Sequence, residues 1–222
     1  MATNPNYVAR YPIQGHSFAI ADSTNWRVLA LSPSPNGCRI HYLNAAQTEG
    51  TARNLSLGIA RRLSQPANFG ATKTVTATNT INRASGSFIT DGWRVNDIVM
   101  LVNPTDGFTD ANHSTFGVVS AVTATALTVT GTPFTNQSPM SDNLHLYKVF
   151  AQTMLNIPAS AGANNAVPAV AALGTTQWPM IDGSPGRFLT LGPNDLLVGQ
   201  LGTAMTSTNR TDVTVGLGDY GT

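Results

Sequence analysis

Cysteine is almost absent. Cys38 is the only one in 222 residues, so no intrachain disulfide can form, and metal sites built on paired thiolates are excluded. Glutamate and lysine are nearly missing as well, with Glu49 the sole glutamate and Lys73 and Lys148 the only lysines. Charged residues make up 10% of the chain, against about 25% in ordinary soluble domains. Helical proteins draw solubility and i,i+4 pairs from Glu and Lys, so this scarcity argues against a helix-rich fold. A net charge of +1, with no basic cluster beyond Arg61-Arg62, leaves no electrostatic footprint for nucleic acid. No apolar run approaches membrane-spanning length, and the opening stretch MATNPNYVARYPIQG lacks the apolar core of a secretory signal. The expectation is a chain made in a cytoplasm, without a membrane partner.

What fills the surface instead is Thr, Asn, Ser and Gln. Neutral polar groups exchange water for protein partners at modest cost, so such a surface suits a protein that is covered by neighbours. Period-two alternation recurs along the chain, and helical periodicity hardly does. In ATALTVTG, Leu127 and Val129 face one way and Thr128 and Thr130 the other, the mark of a half-buried strand. NDIVMLVN is apolar on both faces and predicts a strand covered on both sides. Only Thr123-Ala124-Thr125 separates TFGVVSAV from ALTVTG, which predicts a hairpin. Breaks at 64–73 and 136–143 bracket a unit of its own. The expected organisation is all-β. Residues 1–72 and 149–222 form a β-sandwich or jelly-roll-like domain with extended terminal arms, and 73–148 form an inserted, small β-barrel-like module. Strands are predicted near WRVLAL, RIHYL and RNLSLGIARRL, and again near VFAQTMLNI, GRFLTL, DLLVGQL and DVTVGLG. The best helix candidate is 164–176, which Pro168 and Gly174 limit to about two turns.

Several motifs invite chemistry and are better read as architecture. In FITDGWRVNDIVMLV (88–102), Asp91-Gly92 lies between two strand-like runs, where Gly supplies positive φ and Asp accepts a backbone hydrogen bond; Asn96-Asp97 suits a turn before IVMLV. GLGDYG (216–221) matches the dinucleotide fingerprint G-x-G-x-x-G, but only Thr222 follows and no helix can open there. Cys38 and His41 lie three apart on a strand and diverge, so His41 cannot serve Cys38 as a base. DGFTDANH (106–113) carries Asp106, Asp110, Asn112 and His113 without the EF-hand spacing, and reads as a long loop at a hairpin end. DGSPG (182–186) is not a nucleophile elbow, and no P-loop occurs. Trp93 is expected in the core, whereas Trp178, before Pro179, is placed at a surface or subunit contact.

Residues 85–131 resemble a small β-module common in structural proteins of tailed bacteriophages. Its pattern is F-x-x-D-G-[apolar]-x-x-G-D followed by N-x-G-x-F-x-V-x-x-V-T-x-T-x-L-T-V. Phe88, Asp91-Gly92, Asp97, Phe116, Val118, Val122, Thr123, Thr125, Leu127 and Val129 match it. Two positions depart: Asn96 replaces the usual Gly, and Ser114 stands where Gly is common. FLTLGPNDLLVGQL (188–201) resembles the sandwich edge of capsid decoration and neck or tail components. The resemblance implies a virion structural protein without an enzymatic site, cofactor or metal. Its first expectation is a capsid decoration (cement) protein forming a homo-oligomer, a trimer favoured, on the major capsid protein. The alternatives are a head-tail connector, neck or tail component, or a carbohydrate-binding fibre module using Trp178 or Trp93. The contact residues expected are Tyr7, Arg10 and Tyr11 in the N-terminal arm, Trp178, and Tyr220 near the C-terminus, since Tyr and Arg bring large area with few rotors lost.

Overall fold

The computed structural model describes residues 11–32, 36–63, 73–103, 111–140, 143–162, 168–172 and 189–219. Over half of these, 53%, are strand, and no α-helix occurs among them. The protein is all-β and sandwich-like. The chain divides into two compact units, Met1–Ile59 with Ala151–Thr222, and Ala60–Phe150.

In the first unit the strands are β1 (Gln14–Phe18), β2 (Arg27–Leu31), β3 (Cys38–Gln47), β4 (Arg53–Arg62), β10 (His145–Ile157), β11 (Val170–Ala171), β12 (Leu189–Leu191), β13 (Leu196–Leu201) and β14 (Thr211–Asp219). The chain leaves this unit within β4 and returns to it within β10. One sheet runs β1-β14-β3-β11, with β12 also paired to β3; the other contributes β2-β13-β4-β10. Each predicted strand of the two outer parts is present, and the pairings join early to late segments, β1 and β3 to β14 and β2 to β13. The core lies between the sheets. Phe18, Ile40, Leu43, Val213, Val215 and Leu217 from the first meet Leu29, Leu55, Leu57, Ile157 and Leu197 from the second, all at most 2% exposed. Burying an aliphatic or aromatic side chain of this kind contributes about 1.5–3 kcal/mol, so this layer dominates the stability of the unit.

Two irregularities in this unit follow from single residues. The β3/β14 register shifts between Gly216 and Leu217, so that Tyr42 pairs Gly216 while Ile40 pairs Leu217, leaving His41 as the extra residue. A side chain on Gly216 would collide with the Tyr42 ring. The GPND turn (192–195) links β12 to β13 and carries the chain from one sheet to the other. Gly192 N–H donates to Asp195 Oδ2 at 3.0 Å, and Asn194 takes a φ of +61°. Residues 168–172, within the segment expected to be helical, are instead extended where β11 pairs with β3. The edge of β3 offers backbone partners that two turns of isolated helix, marginal at that length, do not outweigh. Residues 163–167 and 173–176 of that candidate lie outside the described residues.

The second unit is an antiparallel sheet. Its strands β5 (Lys73–Thr76), β6 (Thr80–Arg83), β7 (Ile98–Val102), β8 (Thr115–Val122) and β9 (Ala126–Val129) are ordered β10-β7-β8-β9-β6-β5, so that β6 returns to lie beside β9. The hairpin expected at 123–125 joins β8 to β9, with Thr123 N–H donating to Ala126 O at 2.8 Å and Ala126 N–H to Thr123 Oγ1 at 2.9 Å. Leu127 and Val129 are buried and Thr130 exposed, and Val99 to Val102 are all buried, as a strand covered on both faces requires. The core of the unit is Val75, Ile81, Phe88, Trp93, Val99, Leu101, Leu127 and Phe134 with their neighbours.

Two expectations for this unit are corrected. The sheet does not close into a barrel. Residues 132–140 run alongside β5 instead, through reciprocal Val75–Gln137 backbone bonds of 2.8 and 3.2 Å. The strand-like run 88–90 is not a strand but part of the expected Asp91-Gly92 turn, which spans 88–92: Asp91 N–H bonds Ser87 O at 3.0 Å, Gly92 N–H bonds Ile89 O at 3.2 Å, and Trp93 N–H bonds Phe88 O at 3.0 Å. Phe88 and Trp93, 1% and 2% exposed, are the anchors that fold this turn inward.

Candidate functional site

Six carboxylate side chains belong to the described residues, and each is engaged. In the first unit, β1 and β2 are edge strands of their sheets and are consecutive in the chain. The Gln14 amide spans them, accepting from Leu31 N–H at 2.8 Å and donating to Leu31 O at 3.3 Å. At the other end of β1, Asp22 ends a single 3₁₀ turn (Ile20–Asp22). It accepts from Ala19 N–H at 2.8 Å and Arg27 Nε at 2.7 Å, and lies 3.3 Å from His16 Nε2. Burial raises the Asp22 carboxyl, but the Ala19 bond and the nearby His16 and Arg27 outweigh it and hold the group below its ordinary range. An imidazole held by a carboxylate is two-thirds of a hydrolytic triad. The hydroxyl next along the chain, Ser17, donates to Asp212 Oδ1 at 2.6 Å instead, as alternation on a strand dictates.

Glu49 ties the β3–β4 turn to the loop before β14. Its oxygens accept from Thr206 Oγ1 (2.6 Å), Thr206 N–H (3.1 Å) and Asn209 Nδ2 (3.4 Å), with Arg53 Nη2 at 3.3 Å. The Thr206 bonds, ahead of the Arg53 contribution, lower its pKa. Asp212 pairs with Arg210 at 3.0 Å, and Asp195 closes the GPND turn.

In the second unit, Asp91 and Asp97 serve two different cations. Asp91 is bonded to Arg83, whose side chain is 1% exposed and whose guanidinium also lies 4.9 Å from the centre of the Phe88 ring. Sequence reasoning had Asp91 accepting a backbone N–H; a buried arginine takes it instead, because an uncompensated guanidinium in the core would be far more costly than an exposed amide. Asp97 accepts from Arg94 N–H at 2.7 Å, capping its turn as expected, and pairs with Lys148 Nζ at 2.7 Å. Gly92 has the positive φ foreseen, +95°. Lys73, fully buried, donates to Leu144 O. His145 lies in the field of Lys73 and Arg62; burial first, then these two cations, push its pKa down to about 4.

The other candidates separate in the same way. Cys38 is buried and His41 exposed. Asn112 is fully buried and clasps the 132–140 segment, donating to Thr135 O (3.0 Å) and Gln137 Oε1 (2.9 Å) and accepting from Thr135 N–H (2.8 Å). Its side chain is thereby committed to the protein; Asp106 and Asp110 lie outside the described residues. His113 Nδ1 accepts from Asn103 N–H at 3.1 Å. Among the described residues no three His, Cys, Asp or Glu side chains gather where they could hold a metal. Residues 216–219 of GLGDYG are strand β14. Trp26 and Trp93, 3% and 2% exposed, are core residues that present no ring to a sugar. Tyr11 is half-buried, packs on the first core and donates its N–H to Leu217 O at 3.3 Å. Tyr7, Arg10, Trp178, Tyr220 and the DGSPG stretch lie outside the described residues.

Sequence reasoning missed the cationic half of these clasps. Arg83 and Lys73 sit in short polar strands, where period-two alternation places Lys73 on the buried face with Val75 and Arg83 on that with Ile81, a signal their charge obscured. No protein-family model, curated protein or solved structure matches this chain.

Proposed function

We propose that this chain is a structural component of a tailed-phage virion, a capsid decoration (cement) protein that stabilises the shell through repeated subunit contacts. The observation that carries the reading lies in the module-like segment. At both positions where the phage pattern has glycine and this chain does not, the backbone adopts the left-handed conformation that glycine favours: φ is +72° at Asn96 and +57° at Ser114. A backbone of this kind is the one for which glycine is the usual residue, which supports the match of the segment to the pattern.

Two further features support it. The described carboxylates are spent on internal clasps, which leaves them holding loops together. Large apolar side chains stand at the surface, among them Ile13 (67%), Ile20 (58%) and Met154 (56%). Single exposed apolar residues are ordinary, but on a chain with 10% charge they meet little electrostatic opposition to being covered. An interface of about 1,600 Å² repeated around each subunit holds a particle together without any single strong bond. The contact residues proposed for it are Tyr7, Arg10, Tyr11, Trp178 and Tyr220, with the major capsid protein as partner and a homo-oligomer as the assembled form.

The test is biochemical. In gradient-purified particles of the phage encoding it, the chain is expected in fixed stoichiometry to the major capsid protein, and shells stripped of it should break at lower temperature and recover on adding it back. Particles that lack the chain altogether would remove the reading.

A further inference from the structure

The 88–97 loop of the second unit holds an arginine in a manner the clasps do not share. Arg94 is exposed, yet its Nη1 donates to two carbonyl oxygens of its own loop, Ile89 at 3.1 Å and Trp93 at 2.8 Å. Those acceptors are neutral, so they fix the guanidinium without cancelling its charge. The carboxylate of the same loop, Asp97, is bound to Lys148 Nζ. The loop itself is well anchored: Phe88 and Trp93 are in the core, Lys148 Nζ reaches Gly92 O at 3.3 Å, and Asn96 N–H and Val119 N–H bond Val119 O and Asp97 O, both at 2.8 Å. Ile89 and Val95, which bracket Arg94 in the loop, are 49% and 52% exposed, and Val118, next to the bonded Val119, is 40% exposed.

A guanidinium already held in place loses little rotamer freedom when it meets a carboxylate, and its remaining N–H groups form the fork that carboxylates fit. Apolar neighbours that become covered exclude water and strengthen the ion pair, the usual anatomy of an interface hot spot. We propose that the 88–97 loop docks another protein through an Asp or Glu side chain seated on Arg94, with apolar groups of that protein covering Ile89 and Val95. Charge complementarity calls for an acid, and the one proposed lies on a different protein: among the described residues, each of the six carboxylates of this chain already has a partner. The inference goes beyond the virion reading and does not depend on it: the partner is defined by its chemistry.

The test uses the full chain carrying the photo-crosslinking residue p-benzoylphenylalanine in place of Val95, in the cells that produce it, with the same residue at exposed Ser120 of β8 as the control. The expected product is a cross-link to a different protein, mapped by peptide mass spectrometry to a site beside an Asp or Glu. Arg94→Glu should reduce it about tenfold or more, as truncating an interfacial charge does. Arg94→Lys should retain a part of it, and reversing the partner's acid to Arg should restore it in the Arg94→Glu chain. Thermal melts of both variants, matched to the parent, show that the loop still folds; if Arg94→Glu melts early, the Arg94→Lys yield and the partner's own acid-to-amide variant carry the test. A self-adduct, a yield no higher than the control's, or a cross-link indifferent to both charge changes would overturn the proposal, whether or not the chain is found in virions.

Discussion

The two units solve the same problem with different wiring. In the first, neighbouring strands are far apart in sequence: β3 pairs along its whole length with β14, and β2 with β13. In the second, three of the pairings join a strand to the next in the chain, β5 to β6, β7 to β8 and β8 to β9, and two are longer-range, β6 to β9 and β7 to β10. Local pairing is announced by its turns, so the β8–β9 hairpin is readable from three residues. Long-range pairing is announced by nothing local, and only the shortage of partners within each outer part pointed to it. The units also differ in how they use charge. The first places its acids at edges and loop junctions, around Asp22 and Glu49, while the second sinks cations, Arg83 and Lys73, into or beside its core.

That contrast yields its largest expected effect at Asp91. Asp91→Ala removes the carboxylate bonded to the Arg83 guanidinium, whose side chain is 1% exposed; taking away one partner of a buried pair costs about 3–5 kcal/mol, whereas Asp91→Ala with Arg83→Met should recover most of the loss. Urea unfolding of the three chains measures this, and an Asp91→Ala change below about 1 kcal/mol would mean that the pair is solvated and the contrast between the units illusory. The corresponding loss in the first unit should be smaller. Gln14→Ala removes two neutral hydrogen bonds at a sheet edge, about 1–2 kcal/mol in total, and should speed hydrogen exchange at the Leu31 amide while leaving Val99 in the second unit unchanged.

The smallest effect is pH dependence. His145 titrates near 6.5 when unfolded and about 4 when folded, so as pH falls the unfolded chain takes up the proton first. The stability His145 allows is complete above about pH 6.5 and is lost progressively toward pH 4. Because the side chain is partly exposed, screening reduces the change to about 1 kcal/mol between pH 7 and 5. His145→Gln should flatten that part of the stability curve; an unaltered slope would locate the acid sensitivity elsewhere.

How much was legible varies with the kind of signal. Every strand predicted by alternation exists, since period two is a property of the chain before it folds. Asn96-Asp97 was legible as a turn because an Asx side chain caps its own backbone. The Asp91-Gly92 turn was legible, but the run before it was taken as strand because Phe88 and Ile89 look like strand residues, while Phe88 is in fact buried beside the Arg83 guanidinium. The barrel expectation failed for a related reason. Whether a sheet curls shut depends on which segment reaches its last edge, and here residues 132–140 occupy the side of β5.

The candidate site divides along the same line. Charge poverty, the lone cysteine and the polar but uncharged surface are compositional, and they constrained the chemistry without coordinates. Which carboxylate meets which cation, and that Arg94 is pinned by carbonyls and left with its charge, rests on side chains brought together from different strands and loops. A one-dimensional pattern records the faces of strands, because neighbouring residues set those. It carries no record of partners across a core, because those are chosen by packing and by the desolvation of charge, which act only once the sheets have closed.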